Sequence, residues 1–290
     1  MSKRITSVDN KEIKNVIRLT NKSKLRNESK LFVIEGLREL RMANSNGFDI
    51  KKIFCNSNIA NIEIVKSEFK SQIIEVNNDV YSKISFRNST EGLVGIVGKK
   101  NQKIKPLSKK NNLVIILDGI EKPGNIGAIL RSCDAAKVDM IIINNQKCDL
   151  YNPNVIRSSL GSIFSQKIIS KDSKSTYDFL KRYNIRIYAT SLNAKKSIET
   201  INYNSSSAIV VGSENLGISK FWTNNSDELI KIPMLGSIDS LNVSVSTAIV
   251  LYEINRQNNF NKKVFKYYIK KLSINVVCAN FKKCLFMILK

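Results

Sequence analysis

Residues 114–136, VIILDGIEKPGNIGAILRSCDAA, set an asparagine (Asn125) and an arginine (Arg131) just beyond a buried apolar run and a glycine-bearing turn. Two later segments have the same grammar. IVVGSENLGI, residues 209–218, ends an apolar run at Gly212 and puts Glu214 on the following corner. IKIPMLGSIDSLNVSVSTAI, residues 230–249, leads through a Pro-Met-Leu-Gly loop to Asn242, Ser244 and Ser246 at the start of a helix. All three place small and polar residues at the carboxyl ends of expected parallel strands, where α/β sheets bind ligands.

A strand, a glycine turn and a helix suit a phosphate-bearing ligand, but two familiar forms fit the spacing poorly. Gly119, Gly124 and Gly127 do not keep the G-x-G-x-x-G spacing that lets a backbone approach a pyrophosphate, and no Lys-Ser/Thr pair of a P-loop follows. The chain has no histidine, which removes Ser-His-Asp triads, Cys-His pairs and His-ligated metals. Its five cysteines show no C-x-x-C spacing, and Cys133 falls within a helical pattern as a small buried hydrophobe. No metal is expected.

Residues 9–20 read as a helix with Asp9 as N-cap, followed by a short strand at 31–34, a Glu35-Gly36 corner and a helix closing near Gly47. KKIFC, QIIEV and GLVGIVG are further short strands, giving a small α/β module over 1–98. Residues 99–112, basic and proline-containing, read as a linker. From 113 the chain alternates strands, at 113–118, 139–143, 166–169, 186–190, 208–212 and 230–232, with helical stretches. Runs such as MIIIN and AIVVG fit strands covered on both faces, hence a mainly parallel sheet closed by a helix from about Asn242 to 257. Residues 258–290 form a basic tail without an assigned fold.

Charge follows the same division. The net charge is +23, but residues 111–260 carry 16 basic against 13 acidic side chains, residues 1–110 carry 23 against 11, and residues 261–290 carry 8 against none. A near-neutral body between basic flanks fits a catalytic unit with polyanion-binding ends. The opening MSKRITSVDNK lacks the apolar core of a signal peptide, and no window reaches a membrane span, so the cytoplasm is the expected compartment.

In this order and spacing, EKPGNIGAILRSCDA, VVGSENLGI and IPMLGSIDSLNVSVSTAI resemble the three motifs of the SpoU, or TrmH-like, branch of the SPOUT superfamily of RNA ribose 2′-O-methyltransferases. FVIEG, residues 32–36, is similar to part of that family's amino-terminal substrate-binding module, so the resemblance covers about residues 10–257. It implies an L30e-like (ribosomal-protein-like) α/β module, 1–98, for RNA binding. It also implies a methyltransferase domain, 113–257, whose parallel sheet ends in a deep trefoil knot. By the same resemblance S-adenosyl-L-methionine is the cofactor, cradled by Thr190, Ser191, Leu192, Gly212, Ile232 and Leu241, and Arg131 is the catalytic residue, with Asn125, Glu214 and Asn242 around it.

A guanidinium does not deprotonate in proteins, so Arg131 suits clamping a phosphate and stabilising an incipient alkoxide, leaving the phosphate or water as base. Asn125 would orient Arg131 or the ribose, and Glu214 would fix the site by accepting hydrogen bonds; taken alone, Glu214 reads equally as a capping carboxylate. Lys22, Lys24, Arg26 and Arg38 fall where relatives bind RNA. The expected substrate is ribosomal (23S) RNA, with transfer RNA as the adjacent alternative. A noncatalytic RNA-binding protein and a nucleotide-dependent oxidoreductase are the readings of other classes. The resemblance also implies a homodimer, in keeping with the apolar final helix STAIVLYEI.

Overall fold

The computed structural model describes residues 3–86, 91–100, 107, 111–203 and 205–258. The linker read over 99–112 lies mostly outside the described residues, as does the tail beyond Asn258.

The amino-terminal module runs β1 (Lys3–Ile5), α1 (Lys11–Asn21), α2 (Ser23–Ser29), β2 (Leu31–Glu35), α3 (Leu37–Ser45), β3 (Ile50–Cys55), α4 (Ile62–Glu68), β4 (Gln72–Val76), α5 (Asn78–Ile84) and β5 (Leu93–Gly98). Its five strands form one sheet in the order β1-β4-β3-β5-β2, parallel at β4 and antiparallel where β5 meets β3 and β2. Helix α1 forms because Ile13, Val16 and Leu19 recur on one face and are all buried against this sheet. Its cap is Asn10, which accepts from the Glu12 amide at 2.8 Å, and not the expected Asp9. Asp9 sits inside the preceding turn, one residue too early to reach the free amides, and pairs with Lys14. The three-residue β1 is too short to show an alternation and has no counterpart in the sequence reading.

The second module runs β6 (Leu113–Asp118), α6 (Pro123–Ala135), β7 (Met140–Asn144), α7 (Pro153–Ser159), α8 (Ser162–Ser165), β8 (Ile168–Ser170), α9 (Ser173–Arg182), β9 (Arg186–Thr190), β10 (Lys196–Ser197), β11 (Ser207–Gly212), α10 (Lys220–Asn225), β12 (Glu228–Lys231) and α11 (Val243–Gln257). The seven strands form a sheet in the order β10-β12-β9-β11-β6-β7-β8, parallel at every pair. Strands β6, β7 and β11 are buried along their whole length, as expected of continuous apolar runs covered on both faces. Cys133 is fully buried in α6, and burial pushes its thiol well above the ordinary range. The chain leaves β6 in one direction, to β7 and β8, and returns to fill the other side through β9, β11 and β12. The switch therefore lies between β6 and β11, where Asp118 and Gly212 are register partners.

The two modules share one apolar core, and the cluster containing Phe32, Ile34 and Leu40 is continuous with Val155, Ile163 and Phe164. Phe32 stacks on Tyr151 with ring centroids 4.3 Å apart, and Phe48 meets Phe164 edge-on at 5.1 Å. Arg26 fastens this contact. Its side chain is 2% exposed, its Nε donates to Asp149 Oδ2 at 2.6 Å, and its Nη1 donates to the Leu19 and Thr20 carbonyls at the end of α1. Arg26 is therefore not an RNA-facing cation: the α1–α2 turn folds it inward, where main-chain carbonyls and the partly buried Asp149 carboxylate satisfy its donors.

Removing Asp149 leaves that guanidinium buried without its counter-ion. Asp149→Ala is expected to cost about 3–5 kcal/mol, read as a fall in the urea denaturation midpoint. Lys24→Ala, which removes an exposed pair with Glu28, should leave the midpoint unchanged.

Candidate active site at the carboxyl ends of the parallel strands

Strand β6 ends in Asp118, whose carboxylate is 3% exposed and fully engaged: Oδ1 accepts from the Asn145 side chain at 2.6 Å and Oδ2 from the Ser219 amide at 2.7 Å. Beside it Asn144, also buried, donates to the Lys171 carbonyl and the Thr176 hydroxyl and accepts from Trp222 Nε1. These side chains tie the turns after β6, β7 and β11 together behind the site. The sequence reading missed them; the available signal was a carboxylate and two asparagines closing otherwise apolar strands. Gly119 then turns the chain at φ +68°, a left-handed conformation suited to glycine, and Pro123 occupies the first turn of α6.

Strand β11 ends in Gly212, and the next residues form a tight turn in which Ser213 and Gly217 exchange backbone hydrogen bonds at 3.0 and 2.9 Å. The turn folds back so closely that a Cβ on Gly212 would lie 2.0 Å from the Gly217 carbonyl carbon. Glu214 projects from this turn. Its Oε1 accepts from Asn125 Nδ2 at 2.6 Å and from Asn242 Nδ2 at 2.7 Å, and its Oε2 pairs with Lys122. Asn242 also donates to Asn125 Oδ1 at 3.2 Å, while its own Oδ1 caps α11 by accepting from the Ser244 amide and hydroxyl. Thus Asn125, Glu214 and Asn242, far apart in the chain, meet at one carboxylate. Hydrogen bonding to Lys122 holds the Glu214 carboxyl below its ordinary value of 4.5 against a smaller opposing effect of burial, so it is an ionised anchor and a poor proton acceptor near neutrality.

Arg131 is not part of this triangle. It lies six residues beyond Asn125 on α6, which turns it to another face, and both amide atoms of Asn125 are taken by Glu214 and Asn242. Asn125 therefore does not orient Arg131. The arginine lines a cavity of about 810 Å³ between the modules, together with Gly124, Arg157, Arg38 and Phe86. Among the described residues neither Arg131 nor Arg157 forms an ion pair.

Of the candidate cofactor residues, Thr190 and Gly212 end the neighbouring strands β9 and β11, and Ile232 follows the end of β12. Thr190 and Ile230 are register partners on β9 and β12, β11 lies on the other side of β9, and Ile232 and Leu241 bound the loop from β12 to α11. The Thr190 hydroxyl bonds the Val210 carbonyl and the Ser191 amide bonds the Ile230 carbonyl, so both hold strands together. Leu192 is 63% exposed, and Ile232 and Leu241 are half-buried. This edge of backbone groups with apolar side chains suits a flat, partly apolar ligand such as a nucleoside. Of the basic residues, Lys22 is exposed, Lys24 pairs with Glu28, and Arg38 pairs with Glu39.

Comparison with known proteins identifies the family of the chain. The SpoU rRNA methylase family model matches residues 112–252, and the MRM3-like substrate-binding domain matches residues 10–95. A putative TrmH family tRNA/rRNA methyltransferase of Staphylococcus aureus is 32% identical, covering 78% of this chain and 96% of its own. The 23S rRNA (guanosine(2553)-2′-O)-methyltransferase RlmP of Bacillus subtilis is 26% identical over 87% of this chain and 99% of its own. A crystal structure of an AdoMet-bound rRNA methyltransferase from Sinorhizobium meliloti superposes with a TM-score of 0.80 at 28% identity, over 88% of this chain and 98% of the other.

Gly212→Ala tests the close approach that places Glu214. The added methyl collides with backbone, so the 213–217 turn must move. We expect a stability loss of about 1–3 kcal/mol in urea denaturation, with faster hydrogen exchange at Gly217 than in the parent protein.

Proposed function

The chain belongs to the SpoU rRNA methylase family, and on that premise we propose that it methylates a ribose 2′-hydroxyl of 23S ribosomal RNA. It is an RNA 2′-O-methyltransferase and uses S-adenosyl-L-methionine. The observation that carries the site assignment is the single Glu214 oxygen receiving both Asn125 and Asn242, since it draws the three motif segments to one place beside the cofactor edge.

S-adenosylmethionine supplies an electrophilic methyl group on a sulfonium. Gly212, Ile232, Leu241 and the 190–192 stretch would hold it, with Leu192 and the half-buried apolar pair against the adenine faces. The protein's part in the reaction is positioning. Arg131 holds the phosphate next to the target ribose and stabilises the alkoxide as the hydroxyl loses its proton. A guanidinium does not serve as a base, and Glu214 is bound and ionised, so the proton leaves to phosphate or water. Asn125 and Asn242 act through Glu214, fixing the starts of α6 and α11.

Residues 1–98 are the proposed RNA-binding unit, L30e-like in form, and 113–257 the catalytic domain, with Lys22, Lys24 and Arg38 on the RNA side. The trefoil knot is proposed for the carboxyl end. In support, the segment between β9 and β11 runs outside β12 at β10 and then bonds Gln257 of α11 through Ile201 and Tyr203. The cytoplasm is the proposed compartment; no described helix is long and apolar enough to cross a membrane.

A homodimer through α11 is also proposed. Val245, Ile249 and Tyr252 recur at four and three residues on that helix and are 46%, 37% and 51% exposed, an apolar stripe left uncovered in one chain. Light scattering should give twice the chain mass, and Ile249→Asp should give the mass of one chain. A monomeric parent protein would remove the proposal.

Mass mapping of ribosomal and transfer RNA from cells lacking the protein should show one missing ribose methyl in 23S RNA; a loss confined to transfer RNA would overturn the substrate. In vitro, Arg131→Lys keeps the charge but not the planar fork. It should reduce methyl transfer about 100-fold or more while calorimetric cofactor affinity stays unchanged.

A further inference from the structure

Lys122 stands at the joint between the motif segments. It occupies the N-cap position of α6, yet its side chain makes no capping bond. The ammonium crosses instead to the 213–217 turn and pairs with Glu214 Oε2, the lysine side chain being 68% exposed and the glutamate 22%. Glu214 thus receives three donors: the Asn125 and Asn242 amides on Oε1 and the ammonium on Oε2. An ionised carboxylate only accepts and suits all three, whereas a protonated one turns a donor of its own toward one of them. The cavity beside the pair, about 20 Å³, holds nothing larger than a water and is lined also by Ile120, Glu121, Asn215 and Val243. Glu121 is the other titratable group there and has the same sign as Glu214, and α11 offers only the uncharged Asn242 and Val243. Lys122 is the one positive charge among these residues.

We propose that Lys122 is a positioning residue for methyl transfer: its pairing with Glu214 fixes that carboxylate in its ionised form and orientation, so that Oε1 holds Asn125 and Asn242 together and α6 carries Arg131 at a fixed place. The proposal rests on the RNA methyltransferase reading and adds a residue that acts through another. An exposed lysine near an RNA site is ordinarily a phosphate contact, but here the charge is already neutralised by Glu214 and adds little to the attraction of a polyanion. A pair this exposed also adds little to folding stability, so its effect is on ionisation and rate. Without the ammonium, the largest influence holding the Glu214 carboxyl low is gone, and burial is opposed only by the Asn125 bond. The bonds that need ionised Glu214 are present above the ordinary value of 4.5 and are lost as pH falls through the lower value of the folded chain. Removing Lys122 makes that loss set in at higher pH.

The test uses the full chain with carbon-13 at the glutamate carboxyls, Glu214→Gln identifying the Glu214 resonance. In Lys122→Met the Glu214 titration should move to higher pH, and Lys122→Arg should return it toward that of the parent protein. With ribosomal RNA at neutral pH, Lys122→Met should lower kcat at least about tenfold and leave KM for RNA within about twofold. The loss should deepen as the pH is lowered, and Lys122→Arg should recover most of the rate. Calorimetric cofactor affinity, unchanged in both variants, is the check on folding. An unmoved Glu214 titration overturns the proposal. So does a raised KM with unchanged kcat, which would make Lys122 a direct RNA contact. If the parent protein methylates transfer RNA instead, the 23S reading fails and the same kcat and KM comparison on that RNA still decides the role of Lys122.

Discussion

One carboxylate oxygen organises the catalytic half of this protein. Glu214 Oε1 is the common acceptor for amides that start two different helices, and it is carried by a turn at the end of a third segment. Each contact alone is modest, about 1.5–3 kcal/mol for a hydrogen bond to a charged group. Their joint effect is geometric, because none of the three segments can shift without breaking a bond to the same atom. The position of that atom is set from behind by backbone. With no side chain on Gly212, the turn closes onto the strand end, and the buried Asp118 and Asn144 networks hold the neighbouring strand ends level with it.

Much of this was legible in the sequence because the relevant signals are local. The continuous apolar runs located the long strands, with β6 and β9 falling at the expected residues, and Asn242 stood where a helix N-cap belongs. What was not legible depends on partners distant in the chain. Asp9 and Asn10 are both good caps by residue type, and only the turn closed on Ser7 decides between them. The two-residue β10 exists because β12 offers it an edge, and so short a strand leaves no alternation to read.

The same limit applied to charge. Composition counts Arg26, Arg38 and Arg131 as equal cations, yet one is buried on Asp149, one is neutralised by Glu39, and one faces a cavity unpaired. Helical geometry gave a better warning than residue type: six residues separate Asn125 from Arg131, and that spacing turns them onto different faces of α6. The site is accordingly split, with an anchoring triangle on one side of the helix and a guanidinium on the other.

The aromatic packing of Phe32 and Phe48 against Tyr151 and Phe164 bears on how such an enzyme changes its target over evolution. Modules joined by a loose tether can be exchanged, or re-aimed by altering the tether's length. Here both modules contribute to one interior, so a transplanted amino-terminal module would have to match the aromatic contours of its new host as well as recognise a different RNA. Divergence is thereby channelled toward surface substitutions around a fixed gap, and the distance between the recognition surface and the methyl-transfer site is inherited unchanged.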